Sequence, residues 1–197
     1  MSLLSLIVTL PIILLALTVH EYAHGAVAYG LGDPTPRISG RLTLNPLAHL
    51  DLLGTLVLIV TQRFGWAKPV PINPAYFKDW RRGIMLVGIA GPLANVTLAF
   101  LFALPLRFGI PMSYSLRFVL EMGVYINLGL AAFNLIPVPP LDGSRVLAGL
   151  LRGRNAYYYH QLEAYGPFIL MFLILTGATT YFIIPIWVLL RKIVLGW

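Results

Sequence analysis

The sequence predicts an all-α polytopic membrane protein of about four long transmembrane helices plus a short buried helix, with a small membrane-associated β-sheet. Hydrophobic residues make up 58% and charged residues 11% of the 197 positions, and the mean hydropathy is +0.82, far too apolar for a water-soluble domain. Four apolar runs are long enough to cross a hydrocarbon core of about 30 Å as helices. Between the first two runs, segments bounded by Gly, Pro and Asn carry short extended or alternating patterns, and these predict the sheet.

In chain order, residues 3–31 form the first run. It lacks the basic leader and the small-residue cleavage site of a signal peptide, so it is expected to be retained. Residues 40–46 and 65–74 hold the strand patterns. Residues 52–60, lying between them, are apolar but too few to span comfortably, which predicts a short buried or re-entrant helix. Residues 83–106, 116–136 and 166–190 supply the other three spans. The polar loops are too short for another folded unit, so residues 1–197 are expected to form a single integral-membrane domain.

The net charge is +7. The basic residues flank the apolar runs and show no basic–aromatic pattern, so the expected partner is a lipid bilayer and not nucleic acid. With four spans, Arg37, Arg41, Arg63, Lys68, Lys78, Arg81, Arg82, Arg145, Arg152 and Arg154 fall on one side, and Arg107, Arg117, Arg191 and Lys192 on the other. The positive-inside tendency then puts the richer side in the cytoplasm and the N-terminus outside.

Within the first run stands His20-Glu21-Tyr22-Ala23-His24. Each ionisable group in a membrane helix costs about 2.5–3.5 kcal/mol on insertion scales, so such groups usually line a functional interior. Residues four apart share a helix face, which lets His20 and His24 offer nitrogens to one metal ion while Glu21 stands beside them. A Zn²⁺ held by two His and a third protein ligand keeps a position for water, and a neighbouring carboxylate can take that water's proton. The chain has no cysteine, so disulfides and thiolate ligands are excluded and any metal is held by N and O atoms.

Acidic residues are few, so the third ligand is quickly sought. Asp142 follows the third span in a stretch where Pro137, Pro139 and Pro140 cannot continue a helix and Gly143 permits a sharp turn. In the topology above, the first and third spans run the same way and deliver Asp142 and the His pair to the same half of the membrane. Asp142 also suits the start of a short helix over residues 144–151. Unwound backbone at membrane depth is tolerated where protein buries it or a wet cavity lies beside it, as a hydrolytic site requires.

Taken together, His20-Glu21-Tyr22-Ala23-His24, Gly91-Pro92-Leu93-Ala94-Asn95 and the segment from Asn134 to Gly143 resemble, in order, the motifs of the site-2 protease family of intramembrane zinc metalloproteases. The similarity covers most of the chain and fits the family's short form, without a PDZ or CBS domain. The resemblance implies one Zn²⁺ per chain on His20, His24 and Asp142, with Glu21 as general base and acid. It also implies substrate or transition-state contacts for Asn95 and Asn134, although Gly91 and Asn95, four apart, equally suit a close helix-packing face. The implied activity is hydrolysis of peptide bonds within or near transmembrane segments of membrane-protein substrates, as in regulated intramembrane proteolysis. The implied place is a prokaryotic cell membrane, and the charge topology above puts the active site nearer the cytoplasm.

The predicted sheet suggests a free strand edge for an unwound substrate. His49, between the strand patterns, is a candidate for a structural hydrogen bond or for a place near the site. A metal-ion transporter and a noncatalytic membrane scaffold are the alternatives. The first would need polar groups on both sides of the ion and usually repeated halves, and the second leaves Glu21 beside two potential ligands unexplained.

Overall fold

Long apolar sequences bury their own backbone polarity by coiling, and the computed structural model, which describes residues 3–61 and 66–196, is helical through most of its length. The helices are α1 (Leu3–Gly30), α2 (Thr35–Ile38), α3 (Leu52–Thr61), α4 (Trp80–Arg107), α5 (Tyr114–Asn134), α6 (Asp142–Leu150), α7 (Gly153–Glu163), α8 (Gly166–Leu175) and α9 (Thr179–Leu195). α1 and α4 have 28 residues each, about 42 Å of helix and enough to cross a bilayer with tilt. Among the described residues, three helices are long and apolar enough to span: α1 from Val8, α4 and α5.

The bundle is organised around α4, which packs on α1, α5, α6 and α9. Its buried positions include Gly83, Gly88, Ala90, Gly91, Ala99 and Ala103, small residues that let neighbouring backbones approach closely. Ala99 and Ala103 join Val124 and Leu128 of α5 and Val194 and Leu195 of α9 in the apolar core toward one end of the bundle. The helix starts are set by side chains: Asp79 accepts from the Arg81 and Arg82 amides, and Ser113 accepts from the Leu116 amide.

The expected β-sheet is absent among the described residues. Between α2 and α4 the described residues pair in one isolated antiparallel bridge, Leu50 to Ala67, with the Lys68 amide donating to the His49 carbonyl at 2.8 Å. The physical reason lies in the backbone donors. Pro46, Pro69, Pro71 and Pro74 have no N–H to give a ladder. Several amides that remain are taken by side chains instead: Val70 donates to Glu21 at 3.0 Å, Asn73 to Asp33 at 2.7 Å, and Leu47 and Ala75 to the side chains of Asn45 and Asn73. Arg41 donates to the carbonyls of Ala48 and Lys68. The segment is therefore a tied loop with two 3-10 turns, Pro46–Ala48 and Pro74–Tyr76, and not a recognition edge. Gly65 of the second strand pattern and Arg63 lie outside the described residues.

Residues 52–60 do form a short helix, α3, of ten residues, although Leu52, Leu53 and Leu56 are exposed on it. The fourth expected span is broken. α8 and α9 meet at 86°, and Gly177 at the break has φ +74°, a left-handed helix end that glycine adopts without strain. Uniform hydropathy from residue 166 to 190 conceals that stop.

Candidate metal centre

His20 and His24 project from one face of α1 toward α4, and Asp142 arrives from the first residue of α6. The stretch of residues 135–141 leaves α5 without continuing its helix, and Gly143 fits against the carbonyls of Leu135 and Ile136 where a side chain would collide. That close turn carries Asp142 back into the bundle. Its Oδ2 lies 3.0 Å from His20 Nε2 and 3.2 Å from His24 Nε2, and the two Nε2 atoms are 3.0 Å apart. Oδ1 faces Arg145 Nη1 at 3.6 Å. The carboxylate is turned to the imidazoles and caps nothing on α6.

The other edges of the imidazoles decide what the cluster can hold. His24 Nδ1 is 2.6 Å from the Val87 carbonyl, and His20 Nδ1 is 2.6 Å from Asn95 Oδ1. The Asn95 amide is oriented by its own donations, 3.0 Å to the Ala16 carbonyl and 2.9 Å to Asn127 Oδ1. Asn127 is fixed in turn, donating 2.8 Å to the Gly123 carbonyl. Both Nδ1 atoms therefore face acceptors and carry the proton, which leaves each Nε2 of the neutral rings as a lone pair. Two lone pairs and a carboxylate oxygen converging within about 3 Å repel one another unless a cation lies among them. The set of two imidazole nitrogens and one carboxylate oxygen fits a zinc site that keeps an open position.

Space for that cation depends on Gly91. A Cβ built there would lie 2.6 Å from His20 Nε2, so only glycine leaves the imidazoles where they are. Asn95, Asn127 and the three grouped residues are all buried, the first two completely.

The remaining expected site residues sit at the edge of this arrangement. Glu21, half-buried, points from α1 toward the 66–73 segment, where its Oε2 accepts the Val70 amide. Asn134, half-buried at the end of α5, donates 3.0 Å to the Leu130 carbonyl of its own helix and makes no hydrogen bond to the three grouped residues. His49 is buried away from the cluster, with Nε2 2.8 Å from the Thr43 carbonyl. Asn127 was not singled out by sequence reasoning. Its signal is an amide in an apolar helix two turns before Asn134.

A profile of peptidase family M50 matches residues 108–177, from just past α4 to the break between α8 and α9. The chain is 41% identical over 188 residues to the Bacillus subtilis (strain 168) protein named "Putative zinc metalloprotease YwhC", with 91% of this chain and 84% of that one covered. It is 30% identical over 173 residues to "Putative zinc metalloprotease Rip2" of Mycolicibacterium smegmatis, covering 84% of this chain and 65% of that one. No solved structure matches.

Proposed function

This chain belongs to peptidase family M50, the site-2 protease family of zinc metalloproteases, and we propose that it hydrolyses peptide bonds within or beside the transmembrane segments of other membrane proteins. The observation that carries the reading is the convergence of His20 Nε2, His24 Nε2 and Asp142 Oδ2 inside a bundle of membrane-length helices. Water and a reactive carboxylate are otherwise excluded there, so a hydrolytic centre at this depth acts on bonds that also lie at this depth.

In this reading the bound zinc supplies Lewis acidity toward the scissile carbonyl and toward an attacking water. His20, His24 and Asp142 would hold it. Asn95, itself aimed by Asn127, keeps the His20 proton on Nδ1. The role assigned to Asn95 is thus positioning through His20, because its polar atoms are committed inside the protein. Glu21 is held through Oε2 by the Val70 amide, which leaves Oε1 to receive a proton and return it to the leaving amine. Asn134 steadies the developing oxyanion once its amide turns from the Leu130 carbonyl. Loss of that contact is worth about 10²–10³ in rate.

The test is Asp142→Ala in purified protein, followed by metal analysis and cleavage of a transmembrane peptide. Zinc content and cleavage should both fall sharply. Full zinc with full cleavage in the variant would remove Asp142 from the site and sink the proposed ligand set.

We also place the centre nearer the cytoplasmic side of a prokaryotic cell membrane. α1 and α5 end, and α4 begins, on the side to which nine of the described basic residues belong by chain position, against four on the other. Single cysteines introduced at Arg81 and Arg154 of this cysteine-free chain should react with an impermeant thiol reagent only after the membrane is opened. Labelling of both from outside intact cells would reverse the orientation.

A further inference from the structure

One turn of α1 before Glu21, and one turn of α5 before Asn134, the helices separate around a cavity of about 300 Å³. Leu14, Leu17 and Thr18 line it from α1, and Ile126, Gly129 and Leu130 from α5. Leu17 and Thr18 precede Glu21 by four and three residues, and Leu130 precedes Asn134 by four, so each pair shares a helix face about 5 Å apart along the axis. Trp66 and Ala67 form part of the wall, and the same segment goes on to donate the Val70 amide to Glu21. The cavity thus lies about one helical turn from the groups assigned to proton transfer and oxyanion contact.

The wall is apolar, and its hydroxyls are largely occupied. Thr18 and Thr55 each donate 2.6 Å to a carbonyl of their own helix. His49, 2% exposed, is the exception. Its Nε2 faces the Thr43 carbonyl and so carries the proton, which leaves Nδ1 a buried acceptor without a partner among the described residues. A buried acceptor beside an apolar hole calls for a ligand that brings one N–H and one hydrophobic group. An extended peptide supplies both at each residue.

We propose that this cavity is a specificity subsite that takes one large apolar side chain of the transmembrane substrate, on the membrane side of the scissile bond, while His49 Nδ1 accepts a backbone N–H beside it. The inference rests on the metalloprotease reading and names what that site selects. It favours Leu, Met or Phe over Ala at the corresponding substrate position, because a vacant hydrophobic subsite forfeits contact with every methylene it was shaped to hold.

Gly129 provides the test, since a Cβ built there meets nothing within 4 Å and a longer side chain can grow into the hole without displacing backbone. Transmembrane peptides carrying Ala, Leu or Phe beside a single cleavage bond, mapped by mass spectrometry, are to be cleaved by the zinc-loaded wild-type protein and by Gly129→Leu in detergent micelles. Wild type should cleave the Leu and Phe peptides at least tenfold better than the Ala peptide in kcat/KM, about the discrimination of a methylene-reading pocket. Gly129→Leu should lower that ratio at least tenfold at unchanged zinc content, and Gly129→Ala should fall between. His49→Phe should raise KM for all three peptides and leave the ratio alone. Should Gly129→Leu fail to fold, the Gly129→Ala step decides alone.

A ratio that stays constant while wild type cleaves would overturn the subsite and leave the protease reading intact. An equal loss for all three peptides would also overturn it, since a lipid chain filling the hole predicts that pattern. If wild type with full zinc cleaved none of the peptides, the protease reading would fail first and the subsite with it.

Discussion

Purified Glu21→Gln protein is expected to hold a full complement of zinc and to cleave about 10²–10⁴-fold more slowly than wild type, the span that a positioned general base contributes. Three features of the structure make the outcome separable from simple damage. Glu21 makes no hydrogen bond to His20, His24 or Asp142, so the metal set is left whole. The amide oxygen of Gln can still accept the Val70 N–H, so the 66–73 segment keeps its tie to α1. The substitution alters neither side-chain length nor shape, and only the ability to take and return a proton is lost. Atomic absorption on the purified variant, beside single-turnover cleavage of a transmembrane peptide, reads the two properties independently. Cleavage near the wild-type rate would eliminate Glu21 as the base.

Gly91→Ala is the second substitution expected to have a large effect, and it reaches the centre from the opposite wall. The added methyl would stand 2.6 Å from both His20 Nε2 and His20 Cε1 and would also crowd His24 Nε2. Neither ring can swing aside cheaply, because His20 is held at Nδ1 by Asn95 and His24 by the Val87 carbonyl. The alanine is otherwise a favourable helix residue, worth up to about 1 kcal/mol over glycine, so helix propensity works against the expected loss and not for it. A displacement of about 1 Å at reacting groups costs about 10² in rate, and zinc affinity should drop with it. Gly30→Ala, where a Cβ meets nothing within 4 Å, is the control and should behave as wild type. Equal zinc affinity in the two variants would show that the imidazoles have room the structure does not give them.

The two faces of this site differ in how legible they were. His20, His24 and Asp142 could be read because chemistry of that kind is conspicuous in an apolar chain. Their common depth follows from the direction of the spans, and the structure brings them within hydrogen-bond distance of one another. Asn127 was missed because a lone amide in a membrane helix has many uses, and its use here depends on Asn95, 32 positions away. The long spans were legible from uninterrupted apolar runs. The sheet failed for a reason that alternation alone does not carry: strand-like spacing says where side chains go, but the amides of Val70 and Asn73 were claimed by Glu21 and Asp33, 49 and 40 positions distant. The break at Gly177 is a backbone event, and average hydropathy does not register it.

The metal centre also bears on how the chain holds itself together. There are no cysteines, so nothing covalent joins distant parts of the polypeptide. His24 and Asp142 are 118 positions apart, on α1 and α6, and in the proposed ligand set an ion shared between them would be the counterpart of a cross-link over that whole loop. By mass action the folded form then gains about 1.4 kcal/mol for each tenfold rise in free zinc above the dissociation constant. Chelation consequently withdraws a reagent and a staple at once, so inactivation by a chelator at elevated temperature measures the opening of the bundle as well as the departure of the ion.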